Sequence, residues 1–258
     1  MIFKELYAYR EMIFSLVRRD LVGKYKKSFL GFLWTFVDPL LQLLVYTLVF
    51  TTIMPMKGID KFYLHLFVAL IPWGFFASCL TGGCASIINQ QDMVKKIYFP
   101  REVLPIAYVT GQFVNMLFSF VVVFVVLFIS GVGVRVEALL CLPLVMIVQY
   151  IFCIGITMFT SAVTVYLRDV QQILSVLSLA LMYASPVIYS VDMVPASIRG
   201  IYMLNPMSVL IVSYRDILYY RQLPDMGELG IACGISVVIL VIGYVVFSKL
   251  KRRFVEEL

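Results

Sequence analysis

The chain has 258 residues, 62% of them hydrophobic and 14% charged, with a mean hydropathy of +0.97. A soluble domain carries about 25% charged residues; this chain has too few to coat a water-facing surface, which excludes a soluble enzyme, a disordered chain and a collagen-like fibre. The net charge of +6 is not a nucleic-acid signal, because the basic residues flank apolar runs.

Residues 3–22 form the first predicted element, an amphipathic helix. Phe3, Leu6, Tyr7, Ile13, Phe14, Val17 and Leu21 fall near one face, while Lys4, Glu5, Arg10, Glu11, Arg18 and Arg19 lie mostly elsewhere. Such a helix lies in the cytoplasmic headgroup plane with its apolar face down, either as an anchor or also as the wall of a lipid portal. Six apolar windows follow, each long enough for one helix of about 20 residues and none for two. They place spans at about 29–54, 63–86, 106–130, 139–165, 170–188 and 229–249. The runs do not alternate in polarity as barrel strands would. With the N-terminus inside, fifteen of the Lys and Arg residues fall on the cytoplasmic side and six on the other, so both termini are expected in the cytoplasm. No A-x-A-like site follows the charged start, and a cleaved signal peptide is not expected.

Between the second and third spans runs NQQDMVKKIYFPREVLP, Asn89–Pro105. A short helix is expected up to Phe99, ended by Pro100. Its apolar residues amid charge suit either docking into a groove on another protein or an ordinary positive-inside loop. The stretch after the fifth span, 190–221, holds apolar runs too short to cross; it reads as two re-entrant helices split near Asn205-Pro206, or as a surface helix with its tyrosines at the headgroups. Gly230-x-x-x-Gly234 in the last span is a spacing for close helix packing within the chain, and Pro39, Pro105, Pro143 and Pro186 lie where proline can kink a span.

Several kinds of chemistry are missing. There is no Walker-type glycine-rich loop: the sole Gly-Lys pair, Gly23-Lys24, has Arg18 where the first glycine would stand. Neither HExxH nor G-x-S-x-G occurs. The acids are scattered, which disfavours a metal-dependent membrane enzyme, and His65 is the only histidine. Cys79, Cys84, Cys141, Cys153 and Cys233 sit in apolar stretches without a CxxC pair and read as packing residues. No Asp, Glu, Lys or Arg lies inside the later windows, and Asp38 stands near the cytoplasmic end of the first span, so an ion-coupled carrier has almost nothing to run on. A transporter built from this chain draws its energy from a partner.

A set of segments, in order, resembles the permease subunit of ABC-2-type polysaccharide exporters, the O-antigen and teichoic-acid export group. These are Arg19-Asp20-Leu21 with Lys24-Tyr25-Lys26, Ser28, Leu30-Gly31, Trp34 and Pro39; Val94-Lys95-Lys96 with Phe99–Pro105; Val165–Val170; Ser185–Tyr189, Val194-Pro195 and Asn205-Pro206; and the ending Lys249–Leu258. The resemblance implies an all-α membrane protein of six spans with an interfacial N-terminal helix and re-entrant outer helices. It also implies a second copy of the chain and a cytoplasmic ABC ATPase dimer that binds the ATP and magnesium, with no cofactor in this chain. The cargo would be a polysaccharide on a polyprenyl diphosphate, moved across the bacterial cytoplasmic membrane.

The same resemblance makes Asp92, Lys95, Lys96, Tyr98, Phe99, Arg101 and Glu102 the ATPase-coupling segment. It places Tyr46, Phe50, Tyr183 and Tyr189, on the first and fifth spans, at the pore, although each also suits simple packing. Arg19, Lys24, Lys26 and Lys27 are placed to meet the lipid diphosphate, or serve as an ordinary inner-surface anchor. An ABC-2 permease for a drug or simpler lipid, a membrane enzyme acting on polyprenyl-linked sugars, and a structural scaffold are the alternatives.

Overall fold

A computed structural model of the chain describes residues 7–25, 29–53 and 59–258. Among these residues every regular element is helical. Helix α1 covers Arg10–Tyr25, α2 Trp34–Leu48, α3 Phe62–Thr81, α4 Gln91–Lys96 and α5 Val103–Ile129. Then come α6 (Leu142–Tyr166), α7 (Val170–Tyr183), α8 (Ala196–Tyr202), α9 (Pro206–Arg215) and α10 (Met226–Leu250). Five apolar helical stretches among them are long enough to cross a bilayer: Gly31–Leu48, Phe62–Ala85, Val103–Ile129, Val136–Tyr166 and Met226–Glu257. The expected span at 170–188 is helical only over the 14 residues of α7, a rise of about 21 Å against a hydrocarbon core of about 30 Å.

α3 is the central post. It is buried almost throughout, including Leu64, Leu66, Val68 and Ala69 at 0% exposure, and α2, α5, α6, α7 and α9 all pack on it. The most extensive packing joins α6 to α10. There the backbones nearly touch at two glycines: a Cβ placed on Gly243 would lie 2.2 Å from the carbonyl oxygen of Gly155. The spacing Gly230-x-x-x-Gly234 does not make this approach, since both glycines face open space; they occupy the side of α10 turned away from α6.

Polar side chains fasten the apolar helices where no water competes. Gln149 of α6 donates to the Pro72 carbonyl of α3 at 2.7 Å and accepts from the Tyr214 hydroxyl of α9 at 2.8 Å. Pro39 and Pro72 lie inside their helices. Pro105 and Pro143 stand in the first turns of α5 and α6, where a missing N–H leaves nothing unpaired.

The outer segment divides as its prolines direct. α8 and α9 are separated at 203–205, and Asn205 caps α9 by accepting from the Met207 amide at 3.1 Å, with Pro206 in the first turn. α9 is too short to cross and is buried from Pro206 to Ile211. Its backbone is therefore enclosed in protein, the condition for non-spanning structure at membrane depth.

Candidate functional site

Two ends of the bundle carry most of the polar chemistry. At the first, α4 leaves its helix at Lys96, three residues before the expected stop; Ile97 is extended (φ −126°, ψ 136°). This turn and the following Pro100 point Phe99 inward. Val94 and Phe99 are buried at 4% and 6% with Leu16 and Val17 of α1, Phe247 of α10 and Phe254 beyond it. Asp92, Lys95 and Lys96 are exposed, and Tyr98 stands at 99% exposure. The seven predicted coupling residues thus separate into an outward group and an anchoring group, Phe99, Arg101 and Glu102.

The anchoring group meets residues that spacing along the sequence did not single out. The Glu102 carboxylate, 5% exposed, pairs with the Lys251 ammonium. The Arg101 guanidinium donates to the Lys251 carbonyl, and the Tyr166 hydroxyl donates to the Leu250 carbonyl at 2.8 Å. These bonds tie the loop before α5 and the end of α6 to the end of α10. Tyr9, Tyr98, Arg101, Lys251 and Arg252 border one cleft of about 470 Å³. The basic run Lys249–Arg253 was the only sequence signal for this partnership.

α1 packs on α5 through Leu16 and Val17, while Tyr7 and Phe14 remain exposed at 67% and 65%. Its apolar face is therefore shared between protein and surroundings. An apolar groove of about 910 Å³ runs between α1 and α5, bordered by Phe14, Val17, Phe32, Val114 and Phe118 with Arg10 and Arg18 at its edge. On the other side of α1, Arg19 pairs with Asp20 at 3.2 Å. Both border a cavity of about 480 Å³ with Tyr108, Gln112 and Asn115. Gln112 and Asn115 also line a second cavity, of about 170 Å³, with Thr35, Asp38 and Gln42 of α2. The Thr35 Oγ1 and Asn115 Oδ1 atoms there are buried without protein partners. Of the cations grouped with Arg19, Lys26 and Lys27 lie outside the described residues, as does the Lys24 side chain.

The four candidate pore aromatics are not brought together. Tyr46 stacks on Phe50 at 6.4 Å, and Phe50 meets Phe62 of α3 edge-on at 4.9 Å. Tyr189 donates to the Tyr183 carbonyl at 2.6 Å and contacts the Tyr202 hydroxyl at 3.0 Å. Tyr183 itself is 61% exposed.

At the opposite end of the bundle, Arg215 is buried to 2% exposure, and no carboxylate among the described residues bonds to it. Its guanidinium donates to the carbonyls of His65 at 3.0 Å, Tyr189 at 3.0 Å, Val187 at 2.6 Å and Pro186 at 2.5 Å. This one side chain ties α3 to the backbone that follows α7, where no helical bonds satisfy the carbonyls of Pro186, Val187 and Tyr189. By charge count alone Arg215 is one of the six basic residues on the non-cytoplasmic side.

Comparison with known proteins fits this architecture. Over 257 residues, covering 99% of this chain and 98% of the relative, the sequence is 36% identical to the O-antigen export system permease protein RfbA of Myxococcus xanthus. It is 31% identical over 248 residues to RfbA of Klebsiella pneumoniae, covering 96% of this chain and 95% of that protein. A capsule polysaccharide export inner-membrane protein, CtrC of Neisseria meningitidis, is 23% identical over 206 residues, 77% of this chain and 75% of its own. Residues 11–219 match the family described as ABC-2 type transporter, and the chain belongs to that family of multi-pass membrane proteins.

Proposed function

We propose that this chain is the membrane subunit of an ATP-driven exporter that carries a polyprenyl-diphosphate-linked polysaccharide, of O-antigen or teichoic-acid type, across the bacterial cytoplasmic membrane. The observation that carries the reading is similarity along almost the whole chain to permeases of O-antigen export. The cargo needs such a path, because each hydroxyl taken unpaired into hydrocarbon costs at least about 1–3 kcal/mol. In this reading two copies of the chain stand over a separate ATPase dimer that holds the ATP and magnesium. Both termini are cytoplasmic, and α7 with the turn that follows it makes the sixth crossing.

Particular side chains support this reading. Tyr98, with Lys95, Lys96 and Asp92 around it, offers an exposed apolar knob on a charged surface, suited to a groove on the ATPase. Motion imposed there passes through the Glu102–Lys251 pair into α5 and α10 together. Arg19 and the two cavities sharing Gln112 and Asn115 offer a polar route from α1 toward Asp38, fit for a diphosphate and its first sugars. Aromatic faces such as Tyr183 contact the C–H side of sugar rings without demanding one hydroxyl pattern.

The test is reconstitution of the chain and its ATPase in proteoliposomes, with the lipid-linked polymer supplied in the leaflet on the ATPase side. ATP-dependent transfer of glycan to the opposite side is expected. Transfer by the chain alone, or hydrolysis and transport indifferent to the polymer, overturns the proposal.

A further inference from the structure

At the end of the bundle opposite α4 lies a cleft of about 430 Å³, within the roughly 300–1,000 Å³ of small-ligand sites. His65, Asp192, Arg199, Arg215, Tyr220 and Glu228 border it, drawn from α3, the segment after α7, α8, α9, the turn after α9, and α10. Several of these groups have bonding capacity that the protein leaves unused. His65 is 1% exposed and its Nδ1 is buried without a partner, as is the Nε of Arg199. The Glu228 amide bonds to the Asp225 cap at 3.1 Å, whereas no hydrogen bond or ion pair engages the Glu228 carboxylate among the described residues. Tyr220, 45% exposed, meets Tyr219 edge-on at 4.8 Å and the His65 ring at 6.2 Å, which fixes an aromatic face at the rim.

The charge arrangement selects the ligand. The guanidinium groups offer an anion little: the Arg215 fork is committed to four carbonyls, and the Arg199 charge is already matched by Asp192, with Nη2 also bonded to the Val191 carbonyl and Nε left as a single donor. An anion would also face the carboxylates of Asp192, Asp216 and Glu228. A metal ion lacks a ligand set, since no group of three His, Cys, Asp or Glu among the described residues is placed to hold one. A neutral ligand rich in hydroxyls suits what remains, because carboxylates accept its O–H groups, ring and guanidinium nitrogens complete the pairing, and an aromatic face covers its C–H side.

We propose that this cleft is a saccharide-binding subsite at the exit side of the exporter, where uncharged sugar rings of the emerging cargo bond to Glu228 and Asp192 beside Tyr220. The inference rests on the glycan-export reading above and adds a place where the polymer is held after crossing. Weak, side-chain-based binding there biases a sliding chain outward without clamping it.

Carbodiimide footprinting of carboxylates on the exporter–ATPase complex in nanodiscs tests it. The probe is the host's own polymer released from its lipid by mild acid. The glycan should lower labelling of Glu228 and Asp192 at least threefold and leave Glu11, exposed on α1, unchanged. In Glu228→Gln, the glycan concentration needed to protect Asp192 should rise about tenfold, the scale of one lost charge-assisted hydrogen bond. Unchanged labelling of wild-type complex that does export glycan overturns the subsite and leaves the exporter reading standing. A wild-type complex that exports no glycan overturns the exporter reading, and the subsite with it.

Discussion

Replacing Lys251 by Met and Glu102 by Gln, singly and together, measures how firmly the last helix is fastened to the proposed coupling loop. Glu102 is 5% exposed and Lys251 35% exposed, and the second carboxylate oxygen of Glu102 is buried without a partner. Breaking a fully buried pair from one side costs about 3–5 kcal/mol, whereas exposed pairs contribute about 0–1 kcal/mol. One partner is sealed here and the other reaches water, so the expected coupling energy lies between, at about 1–3 kcal/mol. The order of the variants follows from the same asymmetry. Lys251→Met strands a buried carboxylate and is the most damaging; Glu102→Gln leaves an ammonium that can extend into water; the double variant falls below Lys251→Met in cost. Unfolding of the purified chain in mixed micelles with rising SDS, followed by circular dichroism, closes the cycle. A coupling energy under about 0.5 kcal/mol, with Lys251→Met no worse than the double variant, would refute the claim that this pair is a structural fastening.

Gly243→Ala and Gly234→Ala should move stability in opposite directions in the same assay. The new methyl at 243 meets the Gly155 carbonyl and costs about 1–3 kcal/mol of overpacking, while at 234 it meets nothing and gains up to about 1 kcal/mol from the stiffer helix. Tyr98→Ala should leave stability within about 0.5 kcal/mol, because the ring is exposed, yet weaken affinity for the ATPase at least tenfold by pull-down titration. Phe99→Ala should do the reverse of this in the unfolding assay, losing about 3–5 kcal/mol from a buried cluster.

The long helices were legible because the bilayer imposes one requirement, some 20 apolar residues, that composition displays directly. Phe99 shows where such reading stops. Its neighbours Ile97 and Tyr98 are equally apolar, and only the extended turn at Ile97 decides that Phe99 goes in while Tyr98 goes out. The glycines fail for a related reason. Gly230 and Gly234 carry the expected spacing on one helix, but contact needs the right face, and the real approach pairs Gly155 with Gly243 on two helices with no spacing to announce it. Arg215 could have been suspected from its place within the apolar run MSVLIVSYRDILYY. Its four carbonyl partners, 26 to 150 residues away in the chain, could not.

Uneven packing gives the proposed conduit its position. The window over α3 is 78% buried, but the one over α2 is only 11% buried, and α7 buries Leu174 alone. Both poorly covered helices pack on α3. Lipid would accept an apolar exposed face, yet α2 exposes Asp38 and Gln42, and α7 exposes Gln172 and Ser175. Carboxylate and amide groups turned toward hydrocarbon are costly and mark water-filled or protein-covered surfaces. In the proposed exporter, the side of the bundle flanked by α2 and α7 is the side that would meet a second copy across an aqueous path. The tightly joined α6 and α10 then form the frame, and the coupling loop is fastened to that frame through Lys251. In the proposed exporter a push at α4 would move the frame as one body, with the relative displacement where packing is thinnest, at α2 and α7, along the wall of the path the glycan would take.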